Sequence, residues 1–60
     1  MKLSELLKVV GDIQDVIVCV GELSVSGTRD SMDAFLSSES MELTVADVTA
    51  DDGVLNILVN

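Results

Sequence analysis

Two clusters and one thiol in this chain have the residue types and spacing that chemistry needs. Asp47, Asp51 and Asp52 form the densest group among eleven Asp and Glu residues. Converging carboxylates hold hard cations or, inside an enclosed cleft, divide general-acid and general-base work. A calcium loop alternates its oxygen ligands around a tight glycine turn, whereas Asp51-Asp52-Gly53 fits a hairpin turn first. Thr28, Arg29 and Ser31 stand where a helix is expected to begin, and a guanidinium beside free N–H groups holds anions such as phosphate. Asp30 and Asp33 oppose an anion there, so capping together with an Arg–Asp surface pair is the plainer reading. Cys19 is the only thiol. It lies inside Val16-Ile17-Val18-Cys19-Val20 with no basic neighbour to stabilise a thiolate, and reads as a small buried hydrophobe in a reducing, cytoplasmic compartment.

Composition narrows the field further. The chain of 60 residues has no His, Trp, Tyr or Pro, three Lys and Arg, one Phe and a formal net charge of -8. Without imidazole there is no Ser-His-Asp or Cys-His nucleophile and no histidine zinc site, so no enzymatic activity, metal or cofactor is expected. With so few cations and Phe35 as its only ring, the chain can neither neutralise many phosphates nor stack bases, and direct nucleic-acid binding is not expected. The start, Met1-Lys2-Leu3-Ser4-Glu5-Leu6, is not read as a secretory signal, and no apolar run approaches the roughly 20 residues of a membrane span.

The elements that must position these residues follow from periodicity. Leu3, Leu6, Leu7 and Val10 recur at helical spacing, with Ser4 a candidate cap and Gly11 placed to end the helix in the left-handed conformation. Asp15 to Val20 is a β-branched run that is apolar nearly throughout, which implies cover on both faces. Gly21-Glu22 closes a hairpin onto Leu23 to Gly27, whose Ser24 and Ser26 line a wet face. Met32, Phe35 and Leu36 share the buried side of a second helix, ended by Ser37 to Ser40. Met41, Leu43 and Val45 alternate as a strand whose phase slips before Val48, predicting a bulge around Ala46-Asp47. Asp51-Asp52-Gly53 then turns into Val54 to Val59, apolar on both sides. Residues 1–60 are therefore read as a single compact α+β domain, helix-strand-strand-helix-strand-strand, with a small antiparallel four-stranded sheet and two short helices on one face.

The pattern Val45-x-x-Val48-x-Ala50-Asp51-Asp52-Gly53-Val54-Leu55-x-Ile57-x-Val59, the opening Met1-Lys2-Leu3-Ser4-Glu5-Leu6-Leu7, Leu23-x-x-x-Gly27-Thr28 and Phe35-Leu36 together resemble the short, acidic, uncharacterised α+β proteins of bacteriophages and prophages of Gram-positive bacteria. The chain departs from them by lacking an aromatic residue in the second strand and by carrying fewer lysines. The resemblance implies a fold and a viral or mobile-element setting in the host cytoplasm, and no catalytic residues.

Two helices can cover only one side of the sheet. A homodimer through the uncovered face or a free edge is therefore expected, with Ile17, Cys19, Val54 and Leu58 as the interface. A carboxylate at Ile17 or Leu58 is then expected to undo association or folding, and one at Ser24 to be harmless. The expected function is a non-enzymatic protein-binding module that inhibits a host defence or nucleic-acid enzyme. Its acidic surface of Asp47, Asp51 and Asp52 would lie on a basic host protein, with no membrane or direct nucleic-acid partner. The alternatives are a sponge for a signalling nucleotide held across a dimer at Thr28, Arg29 and Ser31, and a small structural or accessory phage protein.

Overall fold

The computed structural model describes residues 1–60. In chain order the elements are α1 (Leu3–Leu7), β1 (Asp15–Val20), β2 (Leu23–Thr28), a 3-10 turn (Arg29–Ser31), α2 (Met32–Phe35), α3 (Ser38–Met41), β3 (Val45–Asp51) and β4 (Val54–Val59). The α+β architecture and the order of elements are those expected from periodicity.

The four strands form one sheet in the order β2-β1-β4-β3. Both hairpins are antiparallel, but β1 and β4 pair in parallel, Val16 against Leu55 and Val18 against Ile57. The sheet is therefore mixed, a correction to the all-antiparallel expectation. The physical reason lies in the two strands that are apolar on both sides. They belong at the centre, and the chain from Arg29 to Thr44 then has to cross from one edge strand to the other over a single face. That crossing leaves β2 and β3 pointing the same way, which sets β4 parallel to β1.

The hairpin turns follow their sequences. Gly21 has φ +62 while Glu22 keeps a negative φ, the II′ arrangement, and Asp52 (φ 53) with Gly53 (φ 77) makes a I′ turn. The phase slip before Val48 is a register irregularity between Val45 and Asp47, so Ala46 is the extra residue. Asp51 pairs with Val54 as the last residue of β3 and does not form part of the turn.

One face of the sheet carries the core. Val16, Val18, Ile57 and Val59 are buried against Leu3 and Leu7 of α1 and against Met32 and Leu36 of the crossover. Several helical details differ from expectation. Gly11 has no positive φ, and α1 stops at Leu7 in a loose turn through Lys8 and Val9. Lys2 occupies the cap position in place of Ser4, and its N–H donates to the Glu5 carboxylate at 2.8 Å. Leu36 is extended, so the second helix breaks there; Ser37 starts α3 by accepting from the Ser40 N–H at 3.2 Å. Met41 belongs to α3 and not to a strand. Phe35 is 59% exposed; its ring lies 3.4 Å from where a Gly27 Cβ would stand, so it covers the sheet at its margin.

Beyond the bulge, Met1 to Leu3 run alongside Leu43 to Val45. The Leu3 N–H donates to the Leu43 carbonyl at 2.9 Å and the Val45 N–H to that of Met1 at 2.8 Å. The β3 edge is thus partly occupied by the chain's own start.

Candidate functional site

Strand alternation sends every second residue of each strand to the side away from the helices. From the register, that face has the rows Thr28–Asp15–Val54–Asp51, Ser26–Ile17–Asn56–Thr49 and Ser24–Cys19–Leu58–Asp47. Ile17, Cys19, Val54 and Leu58, far apart in sequence, form one apolar stripe on the central strands. Ile17, Cys19 and Val54 are half-buried by their neighbours, and Leu58 is 45% exposed. Hydroxyls of β2 flank the stripe on one side, and Asp47, Thr49 and Asp51 of β3 on the other.

Asp15 shares this face, which reading the strand as a bare apolar run did not bring out. It opens the central strand β1 in register with Val54, exposed at one end of the stripe. Lys8 and Arg29 belong to the end of α1 and the 3-10 turn, on the opposite side, while Lys2 pairs with Thr44 at the β3 margin, where its ammonium lies 3.1 Å from the Glu42 carboxylate. The uncovered face therefore combines half-wet apolar groups with Asp15, Asp47 and Asp51, and the one cation at its margin, Lys2, is already paired with Glu42.

Asp47 and Asp51 are both exposed. Four positions apart on one strand, they are separated by about 13 Å, too far to share an ion, and Asp52 lies in the turn beyond. No group of three or more His, Cys, Asp or Glu residues is close enough to hold a metal.

At the other candidate cluster the donors are already engaged. Arg29 Nε donates to the Leu7 carbonyl at 2.5 Å, and its guanidinium lies 3.6 Å from the Asp33 carboxylate. Thr28 Oγ1 donates to the Asp30 carboxylate, and the Thr28 and Ser31 hydroxyls are 2.8 Å apart. Arg29 closes the carbonyl end of α1 onto the start of α2, so Thr28, Arg29 and Ser31 form a clamp between the two helical segments with their own counter-charges.

A concavity of about 350 Å³ opens on the helical side at the end of the β3–β4 hairpin, lined chiefly by Val9, Val10, Gln14, Ala50 and Leu55. Gln14 is its one polar side chain, and it pins the hairpin by donating to the Gly53 carbonyl at 2.7 Å. The helices do not reach this end of β3, which leaves Val48 40% exposed. No helix is long and apolar enough to cross a membrane.

Comparison with protein-family models, with curated proteins and with solved structures finds no match to this chain.

Proposed function

We propose that the protein is a non-enzymatic, homodimeric protein-binding module whose recognition surface is the uncovered sheet face, and that its partner is a protein presenting cationic and apolar side chains together. One observation carries this reading. The stripe of Ile17, Cys19, Val54 and Leu58 shares its face with Asp15, Asp47 and Asp51, and the one cation at the margin of that face, Lys2, is taken up by Glu42 at 3.1 Å. Covering the stripe stabilises by about 1.5–3 kcal/mol for each large side chain taken fully from water. A second copy laid on this face would bring two sets of these exposed carboxylates together, and like charges set across an interface disfavour it. A partner with Lys or Arg beside its apolar residues covers the stripe and neutralises the carboxylates at once, and long-range attraction to the acidic chain speeds encounter.

The phage resemblance supplies the setting. A host defence or nucleic-acid enzyme has a basic groove built for phosphates, and a rigid face of carboxylates about an apolar centre occupies such a groove in place of the nucleic acid. The test is affinity purification from a Gram-positive host lysate with wild type, Leu58→Asp and the double variant Asp47→Asn with Asp51→Asn. A basic protein retained by wild type, released by high salt and lost from both variants is the expected outcome. Retention of the same protein by Leu58→Asp contradicts the reading.

A further inference from the structure

We infer that two copies of the chain join edge to edge through β2, in antiparallel register centred on Val25 against Val25 of the second copy, doubling the four-stranded sheet. The inference deepens the homodimer in the reading above by naming its surface. It is independent of what covers the open face.

The two edges of the sheet differ in kind. The β3 edge carries Asp47 and Asp51, is bent by the Ala46 bulge and is partly paired with Met1 to Leu3. Charge, bulges and chain cover are the devices by which edge strands are kept from pairing. The β2 edge, Leu23-Ser24-Val25-Ser26-Gly27-Thr28, has none of them: no charge, no proline, no bulge and no strand beyond it. In a chain of net charge -8, an uncharged edge is also where a second copy meets least repulsion.

The backbone is poised for such a pairing. The closing pair of a two-residue hairpin is hydrogen-bonded, so Val20 and Leu23 exchange bonds and alternation turns the N–H and C=O groups of Val25 and Gly27 toward β1. The Arg29 N–H, two residues further along this alternation, donates to the Gln14 carbonyl at 2.8 Å as it requires. Ser24 and Ser26 therefore point their main-chain groups outward. With Val25 at the two-fold axis, Ser24 of each copy lies opposite Ser26 of the other, giving about four new main-chain hydrogen bonds.

The side chains select this register. Leu23 of one copy falls opposite Gly27 of the other, which has no side chain and is overlain by Phe35 and Met32, each 3.4 Å from its missing Cβ. Leu23 is 73% exposed and Phe35 59%; the register brings these two wet side chains together at both ends of the seam. Glu22 comes opposite the uncharged Thr28. A register centred on Ser26 instead sets Leu23 against Arg29. Because the two-fold axis is perpendicular to the sheet, both uncovered faces lie on one side as a single platform.

The experiment uses the full chain. Wild type sediments as a dimer that dissociates on dilution, whereas Leu23→Asp, at a mostly exposed position, sediments as a monomer with an unchanged far-ultraviolet circular dichroism spectrum. In a Cys19→Ser background, oxidised Val25→Cys forms a covalent dimer, since a non-hydrogen-bonded pair sets the two Cα atoms about 4.5 Å apart, within disulfide reach. Ser26→Cys alone forms much less, whereas a mixture of Ser24→Cys and Ser26→Cys chains cross-links. A monomeric wild type at millimolar concentration, a dimeric Leu23→Asp, or faster cross-linking by Ser26→Cys than by Val25→Cys overturns the inference. Leu58→Asp leaves this dimer intact while abolishing partner capture, so the two proposals fail separately.

Discussion

Ile57 and Leu58 are adjacent in β4 but face opposite sides of the sheet, and truncating each to alanine measures which side is covered. Ile57 is 1% exposed and packed among the core residues. Its loss removes buried methyl groups and leaves a cavity, costing about 2–5 kcal/mol. Leu58 is 45% exposed, so roughly half of its transfer energy is realised and the site opens to water without a cavity, giving about 1 kcal/mol. A domain of this size has a total stability of about 3–9 kcal/mol. Ile57→Ala should therefore lose a large part of its stability and Leu58→Ala a small part. With no Trp or Tyr in the chain, urea unfolding is best followed by far-ultraviolet circular dichroism. With a slope of about 1 kcal/mol/M, the midpoint moves by about 2 M or more for Ile57→Ala and by about 1 M for Leu58→Ala. Equal shifts, with the Leu58→Ala cost growing with protein concentration, would falsify the assignment of an open face, because Leu58 would then be buried by a second copy.

Other outcomes follow from the same geometry. Arg29→Met keeps the apolar stem but leaves the Leu7 carbonyl without its charged donor, and should cost about 1.5–3 kcal/mol in chemical unfolding; Asp33→Asn, at the exposed end of the pair, should cost under about 0.5 kcal/mol. Gly53→Ala places a Cβ at φ 77 in the I′ turn and should destabilise by about 1–2 kcal/mol, with no matching loss for Asp52→Asn, a residue type that tolerates positive φ. The hydrogen bond from the Lys2 N–H holds the Glu5 carboxyl below its ordinary value of 4.5. Its contribution is thus complete above that value and lost as pH falls through the lower folded value. The stability difference between wild type and Glu5→Gln should shrink on acidification, and a difference that widens would contradict the assignment.

The elements visible in the sequence were those set by local chemistry. Gly21-Glu22 and Asp52-Gly53 marked the hairpins because their backbone angles need those residues, and the slip between Val45 and Val48 marked the bulge because side-chain alternation has a fixed period. The stripe of Ile17, Cys19, Val54 and Leu58 was legible too, since β1 and β4 are apolar on both sides. Strand direction was not, because an apolar pattern reads the same either way and the crossover decides it. Nor was the break at Leu36, where Ser37 capping α3 competes with helical periodicity. Phe35 looked like core by spacing and is exposed because the crossover lies at the sheet margin over Gly27. The expectation that a carboxylate at Ser24 would be harmless treated the wet side of β2 as separate from the stripe. In the sheet Ser24 stands beside Cys19 on the same face and on the free edge, so if β2 is the seam proposed above, Ser24→Asp weakens association, and if it is not, the variant associates as wild type does. Asp15, read as the entry to a strand, belongs to the candidate surface only once β1 is paired with β4.

The most direct test of the open face as a recognition surface is amide mapping by nuclear magnetic resonance during titration with an amphipathic helical peptide of alternating Lys and Leu blocks, a stand-in for the proposed partner chemistry. Saturable shifts concentrated at Ile17, Cys19, Val54 and Leu58 and at Asp15, Asp47 and Asp51, weakened by added salt, are the predicted result. Shifts spread evenly over all the carboxylates, or centred on Val9, Val10 and Ala50 of the helical side, would contradict it.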